Sequence, residues 1–474
     1  MLAERRDLPV IFLTAVDHPV NVMMGLEHQL IMNGDQTSMH HELFIIGAGA
    51  AGLMAAVTAK DLGVDTAILE RNDRIGKKIL MTGDGRCNIT NESTVTGEDE
   101  AVATSRKFHS AQAGFPQAVL QQFGIRQTID HFFVLGLPLT RLKEGMIYPM
   151  SLQAASVLDN FQLALEDRDV PVYFNNQVVE VIVSADHPRF TIVCQTETEE
   201  RAERVVYTSE YLFLCAGGLT APNTGSDGSG YTLAQRLGHT LIDPVPAIVQ
   251  LRLQYPHLKA LSGIKLQGKA HISVNGEVVR SESGEIHFAE YGLSGPPILQ
   301  LSRNAAYHLA KGDSVTVTVD LMPGRTDEQL VDFLETHWGI FGHRTIVESF
   351  IGILHKKLVP VLLKEAGIDQ QPHLLCQDLS WKTKKKFYRL LKHWEFKVTD
   401  TNGFANAQTT AGGIDTTELI EGTLESKLVP GLYLAGEVMD VDGDFGGYNL
   451  QWAWSSGYVA ATSLARQISE GKNK

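Results

Sequence analysis

The chain has 474 residues, 43% of them hydrophobic, and a formal net charge of -14. This length supports two or three domains, and the negative charge disfavours nucleic acid or an anionic membrane surface as a partner. No apolar run approaches the ~18 residues that cross a bilayer. The four cysteines form no Cys-x-x-Cys pair, which argues against a zinc site or a disulfide framework and predicts a reducing, cytoplasmic location.

The first 40 residues are predicted to be an extension rather than a signal peptide. Their apolar run at 9–16 follows acidic Glu4 and Asp7, and Asp17 comes directly after it. No small-residue cleavage pattern is present. Met39 precedes the first convincing strand and is an alternative start.

A strand at 43–46, a helix at 50–60 and a strand at 66–69 predict a βαβ unit. The turn at 47–52 reads Gly-Ala-Gly-Ala-Ala-Gly, and Glu70 closes the second strand. Gly47 permits the tight turn, Gly49 lets a pyrophosphate approach, and Gly52 lets helix and strand pack closely. Glu70 is expected to bind the adenosine ribose and to repel a 2′-phosphate. These parts together predict a dinucleotide site.

The following segment, 74–91, is cationic and rich in glycine, which favours FAD over NAD. Lys77 and Lys78 can offset phosphate charge, although a plain surface role remains open for both. Gly83 leaves room for a flat ring, and Arg86 and Asn88 can donate hydrogen bonds to it.

The predicted secondary structure in the middle of the chain changes twice, first to short strands and then to helices. The predicted elements are a helix at 151–166, a meander of strands at 178–183, 190–194 and 204–208, and a buried strand at 211–216 that ends in Gly217. Residues 246–322 contain short strand-type runs and predict a β subdomain. Residues 326–395 have helical periodicity, and their basic cluster at 382–386 is interpreted as a solvated helix face.

Near the C-terminus, a strand at 431–436 leads to Glu437, and a glycine pair at 446–447 opens a helix predicted at 449–468. The amides of a helix N-terminus there would stabilise the negative charge of a reduced flavin. Glu437 is expected to hold the ribityl chain or a phosphate-linked water. Trp452 and Trp454 are interpreted as packing residues.

These motifs resemble a family of bacterial FAD-dependent oxidoreductases that includes aminoacetone oxidase and bile-acid dehydro-reductase. The resemblance rests on the 47–52 turn with Glu70, on Gly-Arg-Cys-Asn-Ile-Thr-Asn at 85–91, and on the 435–454 region. It implies an α/β fold: a split Rossmann-like FAD-binding domain with an inserted β-barrel-like domain and an inserted helical domain. The expected bounds are 1–40 for the extension, 41–245 and 409–470 for the FAD-binding domain, 246–322 and 396–408 for the barrel, and 323–395 for the helical domain.

The resemblance also assigns FAD contacts, and the strand position of Val179 independently suits a backbone contact to adenine. The stretch from Ala216 onward is similar to the glycine-rich stretch of fumarate-reductase-type flavoproteins. The full set of expected cofactor-binding residues is Gly47, Gly49, Ala50, Ala51, Gly52, Glu70, Lys77, Lys78, Gly83, Arg86, Cys87, Asn88, Val179, Ala216, Gly217, Gly436, Glu437, Gly447, Tyr448, Asn449 and Leu450.

The predicted function is an FAD-dependent oxidoreductase that acts on a small organic substrate. FAD is expected to be noncovalent, because no residue is clearly placed for covalent attachment. The resemblance implies NAD(P)H as the electron donor, and the single Gly-x-Gly-x-x-Gly fingerprint, which FAD should occupy, predicts that it binds transiently. Alternatives are an amine or alcohol oxidase that uses oxygen, an RNA-modifying flavoprotein, and a redox sensor. No metal is expected, and the oligomeric state and the catalytic residues stay open. Tyr148, His287, Tyr291 and Tyr448 are more typical of structural positions than of catalytic ones.

Overall fold

The computed structural model describes residues 39–94, 100–197, 202–371 and 373–472. The strands up to residue 247 are β1 (Met39–His40), β2 (Leu43–Ile46), β3 (Thr66–Leu69), β4 (Thr90–Asn91), β5 (Phe108–His109), β6 (Leu139–Arg141), β7 (Met146–Pro149), β8 (Val172–Tyr173), β9 (Asn176–Val183), β10 (Phe190–Glu197), β11 (Ala202–Ser209), β12 (Tyr211–Leu214) and β13 (Leu241–Ala247). The later strands are β14 (Leu251–Gln254), β15 (Lys265–Val274), β16 (Glu277–Ala289), β17 (Gly292–Ser294), β18 (Val315–Asp320), β19 (Trp394–Thr401), β20 (Thr409–Ile414), β21 (Leu432–Leu434) and β22 (Asp442–Gly443).

The helices alternate with these strands in the first part of the chain and cluster between β18 and β19. They are α1 (Ala50–Asp61), α2 (Glu100–Ser105), α3 (Phe115–Leu120), α4 (Ile125–Val134), α5 (Ala154–Glu166), α6 (Ser229–Arg236), α7 (Leu258–Leu261), α8 (Pro296–Ala310), α9 (Asp327–Ile340), α10 (Ile346–Ser349), α11 (Leu358–Ala366), α12 (Trp381–Lys392) and α13 (Tyr448–Lys472).

A five-stranded parallel sheet, in the order β21-β12-β2-β3-β8, forms the centre of the Rossmann-like part. Its strands are short continuous apolar runs such as Leu-Phe-Ile-Ile in β2, which suits strands that helices cover on both faces. In the registered pairs, Ile46 lies opposite Leu69 and Leu214, and Leu214 lies opposite Leu434. The residues that follow these strands therefore meet at one edge of the sheet.

The predicted meander is present as three antiparallel strands, β9, β10 and β11. Three smaller groups were not predicted: the sheet β4-β7-β6 and the pairs β5–β22 and β13–β20. The strands of the first two groups, of two to four residues, are too short to show a period in the sequence.

The insertion contains a closed barrel in the order β14-β17-β16-β15-β18-β19. Helix α8 also lies in the segment that was predicted as a β subdomain, and it begins at Pro296 after Gly295, whose φ is +97°. The helical segment between β18 and β19 ends earlier than expected, because β19 already begins at Trp394. The predicted α/β fold with its inserted barrel and helices is confirmed, whereas the domain bounds stay a prediction.

Two large cores stabilise these parts. One joins the parallel sheet to α1 and α13, with Phe44, Phe213 and Trp454 fully buried. The other joins barrel residues such as Ile272 to helical-segment residues such as Phe387. The barrel and the helical segment therefore share one hydrophobic core.

Candidate functional site

A large cleft opens at the edge of the sheet where the parallel strands end. Its empty volume is about 1250 Å³ including the solvent at its mouth, enough for a large ligand. Its walls contain these members of the predicted set: Gly47, Gly49, Ala50, Ala51, Glu70, Lys77, Lys78, Ala216, Gly217, Gly436, Glu437, Asn449 and Leu450.

Each of the three glycines in the turn at 47–52 is explained by the space around its Cα. A Cβ at Gly47 would lie 2.7 Å from the Cys215 carbonyl oxygen, and one at Gly52 would lie 2.0 Å from the Gly47 oxygen. A Cβ at Gly49 would meet nothing within 4 Å, since it would point into open space. Gly49 caps α1 with an extended backbone, and the N–H groups of the first turn have no partners within the helix. This arrangement suits an anionic group beside Gly49.

Glu70 is buried and tied to the same turn. Its Oε2 accepts a 2.8 Å hydrogen bond from the Ala48 N–H, and its Oε1 accepts from the Asn72 N–H and side-chain amide at 2.8 and 2.7 Å. A carboxylate has about four acceptor positions, so one remains open here. Glu70 can thus shape the turn and still accept from a ribose hydroxyl.

Lys78 and Glu437 form an ion pair across the cleft wall. The Lys78 Nζ lies 2.6 Å from Glu437 Oε2 and 2.6 Å from Thr220 Oγ1. Glu437 Oε1 accepts from the Thr220 hydroxyl and the Thr410 N–H at 2.9 and 2.8 Å. Burial opposes ionisation, but the Lys78 charge and these hydrogen bonds leave the pKa of Glu437 below its usual range.

The first turns of helix α13 line the cleft through Asn449, Leu450, Trp452 and Ala453. The Asn449 side chain accepts from the Gly443 N–H at 2.8 Å and donates to the Gly443 oxygen at 2.9 Å. Asn449 therefore braces the segment before the helix, while the N–H groups at the helix start stay free of intrahelical partners. The Trp452 indole donates to the Gly436 oxygen at 3.1 Å, and Trp454 donates to the Ile89 oxygen, as expected for packing residues.

The remaining predicted residues do not line this cleft. Gly52 is a packing position, and the Val179 oxygen accepts from Arg236, while its neighbours Gln177 and Val178 line the cleft instead. The others surround the turn at 83–88 and the start of α13: Gly83, Arg86, Cys87, Asn88, Gly447 and Tyr448.

The turn at 83–88 is packed against the start of α13. A Cβ at Gly447 would lie 3.0 Å from the Asn88 side chain, and the Asn88 Oδ1 is buried without a hydrogen-bond partner in the described chain. The Arg86 guanidinium lies over the Tyr148 ring. Burial raises the pKa of the Cys87 thiol to about 12, so it stays protonated. Tyr448 bonds through its hydroxyl to Ser93 at 3.0 Å.

Several cleft residues were missed by sequence reasoning. Asn72 orients Glu70, while Thr220 and Thr410 hold Glu437. Gln408 and Thr409 line the cleft from the start of β20. A single threonine or asparagine carries no sequence signal for such a role, and only the sheet topology brings them together.

Two observations concern other kinds of site. In the described ranges, no helix is both long and apolar enough to cross a membrane. In the same ranges, no three His, Cys, Asp or Glu side chains are grouped so that they could hold a metal ion.

Comparison with protein families gives a match to the HI0933-like protein Rossmann domain over residues 41–463. The chain is 39% identical to a 3-dehydro-bile acid delta(4,6)-reductase of Clostridium scindens, over 89% of this chain and 98% of that protein. It is 29% identical to a ribosomal RNA dihydrouridine synthase of Haemophilus influenzae, over 91% of this chain and 100% of that protein.

Among solved structures, an open conformation of a flavocytochrome c3 fumarate reductase aligns with a TM-score of 0.48 at 14% identity. The alignment covers 94% of this chain and 81% of that one. This likeness is too remote to carry any functional property. The resemblance to an oxidoreductase family that the sequence indicated is confirmed by the family match and the reductase relative.

Proposed function

We propose that this chain, which belongs to the HI0933-like Rossmann family and is an FAD-dependent oxidoreductase, reduces a small unsaturated organic substrate with electrons from NAD(P)H. The observation that carries the proposal is the cleft that is lined by the glycine turn, by buried Glu70 and by Asn449 and Leu450 in the first turn of α13. Bound FAD supplies the two-electron hydride chemistry, and the protein binds and orients the reactants.

The residues that line the cleft fit the adenosine and pyrophosphate parts of FAD, and the start of α13 fits the flavin part. Glu70 would accept from the ribose, and the open space beside Gly49 would take the pyrophosphate. The N-terminus of α13 would face the flavin ring and favour negative charge there. The buried Cys87 thiol is no nucleophile, which supports noncovalent binding.

The electron donor is inferred from the number of dinucleotide sites. In the described chain, one strand–Gly-x-Gly-x-x-Gly–helix unit is present, formed by β2, the 47–52 turn and α1. If FAD occupies it, a nicotinamide must enter the substrate side of the cleft and leave before the substrate binds. Ping-pong kinetics follow from this order.

The substrate class is taken from the bile-acid reductase relative, whose name describes the reduction of ring double bonds. A carbon–carbon double bond conjugated to a carbonyl can accept a hydride at one carbon and a proton at the other. We keep the cytoplasm as the predicted location, which the four buried free cysteines support.

Anaerobic stopped-flow mixing tests the donor. NADH or NADPH should bleach the flavin absorbance, and a conjugated enone such as 2-cyclohexenone should then restore it. If neither nucleotide bleaches the flavin while an amine or alcohol does, the protein is an oxidase and the proposed donor is wrong.

A second candidate is reduction of uridine in RNA, which the 29% identical relative favours. The basic cluster on α12 gives it little support, because Lys384 pairs with Glu335 at 2.7 Å and Lys386 donates to the Ala366 oxygen. Gel-shift binding of ribosomal RNA at moderate salt, followed by dihydrouridine analysis, would establish this function. RNA that neither binds nor is reduced would remove it.

A further inference from the structure

A second, smaller cavity lies between helix α8 of the insertion and the segment that joins β22 to α13. Its empty volume is about 190 Å³ including open solvent, and its enclosed part has room for about one water-sized group. Ile248, Leu299 and Phe445 give it an apolar wall, and His109, Gln300 and Arg303 give it a polar one. Such a mixture of apolar surface and a few converging polar groups is typical of a ligand site.

Only the Nε of the Arg303 guanidinium has hydrogen-bond partners in the described part of the chain. Its Nε lies 3.0 and 2.8 Å from the two carboxylate oxygens of Asp442, which is almost fully buried. Its two terminal nitrogens make no hydrogen bond to any residue in the described ranges. A fixed guanidinium with free terminal donors is suited to binding a pair of oxygens or one anionic oxygen.

The two neighbouring polar groups are held in a similar way. The Gln300 Oε1 accepts from the Phe445 N–H at 2.7 Å, which leaves the amide NH2 as a donor. The His109 Nε2 lies 3.0 Å from Asp444 Oδ1, and its Nδ1 has no partner in the described chain. Arg280 binds the same Asp444 carboxylate at 3.1 and 3.0 Å.

Charged side chains of both signs surround the cavity. Lys107, Arg280 and Arg303 stand against Glu282, Asp442 and Asp444, and burial raises the pKa of Asp442 and of the neighbouring, buried Asp440. Burial opposes ionisation of Asp444, but the hydrogen bonds from His109 and Arg280 leave its pKa below the usual range. Both cavity-lining carboxylates therefore already have cationic partners, and an additional anion would meet the unused donors of Arg303.

The small cavity and the large cleft share a wall. Gly443 lines the small cavity, and both of its backbone polar groups are bonded to the side chain of Asn449, which lines the large cleft. The small cavity is therefore adjacent to the cleft wall that Asn449 forms.

We propose that this cavity is a subsite for an anionic oxygen of the substrate, a carboxylate or an enolate, with Arg303 as its central donor. This proposal rests on the proposed function, which supplies the substrate. A conjugated carbonyl gains negative charge on its oxygen as hydride is added, and the subsite would stabilise that charge. Binding of a carboxylate by itself does not require turnover.

The test uses the oxidised holoenzyme and two probes, benzoate as a carboxylate and p-nitrophenolate as an oxygen anion delocalised as in an enolate. Isothermal titration calorimetry should detect binding of at least one probe. The probe that binds more tightly shows whether the subsite prefers a carboxylate or an enolate oxygen. Arg303→Gln should weaken binding of that probe about 10- to 100-fold, the range of one lost charge-assisted hydrogen bond. Arg303→Lys should be intermediate, because it keeps the charge and loses the planar donor pair.

Arg252→Gln, at an exposed arginine of β14, is the matched control and should bind like the wild type. Because Arg303→Gln leaves Asp442 without its partner, the double variant Arg303→Gln/Asp442→Asn provides a charge-balanced version that should also bind weakly. Binding of neither probe, or equal binding by wild type and folded Arg303 variants, overturns the subsite. If the probes bind through Arg303 but no nucleotide bleaches the flavin, the subsite stands and the proposed donor fails.

Discussion

Glu70 and Glu437 follow strands of the same parallel sheet and face the same cleft, yet different groups hold them. Glu70 accepts hydrogen bonds from the Ala48 N–H and from the backbone and side-chain amides of Asn72. Glu437 is paired with the Lys78 ammonium and accepts from Thr220 and Thr410. Amides leave the charge of a carboxylate in place, whereas an ammonium cancels it.

The different partners indicate different tasks for the two glutamates. Glu70 keeps its charge for a ligand that donates hydroxyl hydrogens, such as a ribose. Glu437 presents no net charge once it is paired, and we infer that it positions Lys78 and the start of β20 rather than binding the ribityl chain. Lys78 is then a poorer phosphate partner than its charge alone suggests.

The largest effect is expected from Gly49→Val, which tests whether the phosphates lie beside Gly49. The added side chain meets no protein atom within 4 Å of its Cβ, so the fold tolerates it, but it fills the space assigned to the pyrophosphate. The purified variant should contain almost no FAD by absorbance at 450 nm. Gly114→Val is the matched control, since Gly114 also caps a helix and has equally open surroundings. Normal flavin content in the Gly49 variant would place the phosphates elsewhere.

Glu70→Ala is expected to weaken FAD binding about 10- to 100-fold without abolishing it. It removes a charge-assisted ribose bond worth about 1.5–3 kcal/mol and leaves the space open. Equilibrium titration of the deflavinated protein with FAD gives the ratio. A loss as complete as that of Gly49→Val would mean that Glu70 acts mainly by shaping the turn through Ala48.

Lys78→Met tests how much the ion pair with Glu437 contributes to stability. It should lower the free energy of unfolding by about 2 kcal/mol, less than for a fully buried pair because both side chains stay partly exposed. The adjacent Lys77→Met is the control, since its partner Asp73 lies at the surface, and it should change stability little. Chemical denaturation of both variants provides the comparison. Equal losses would contradict the special role of the Glu437 pair.

The smallest effect is a dependence on pH. Because the folded pKa of Glu437 lies below its unfolded value of ~4.3, its ionised form contributes stability above that value and loses it as the pH falls through the folded pKa. The stability difference between wild type and Glu437→Gln should therefore be constant above about pH 5.5 and shrink below about pH 4. A difference that grows towards acid would reverse the assigned sign.

Local patterns were enough to predict the βαβ unit. Strands β2 and β3 begin and end where the apolar runs do, because both are buried on both faces and bounded by turn residues. Local patterns do not predict helix α8, because the runs on either side of it are β-type and two prolines at its start are a weak sign of a helix by themselves.

The contacts between residues of the cleft could not be predicted without the sheet topology. Lys78 and Glu437 are 359 residues apart, and Thr220 joins them from a third segment. The spacing of these residues along the chain does not indicate that their side chains are in contact. The resemblance to a family pointed to both charged residues, but neither it nor the motifs indicated that they bind each other.

The closure of the cleft by distant segments also has a consequence for when the protein can acquire FAD. Thr90 bonds to Gln451 over 361 residues, and Glu437 and α13 come after the whole insertion. At about 5–20 residues per second, roughly 20–70 s of translation separate the two halves of the binding site. The glycine turn therefore leaves the ribosome long before α13 does, and we expect FAD to bind only after α13 has been made.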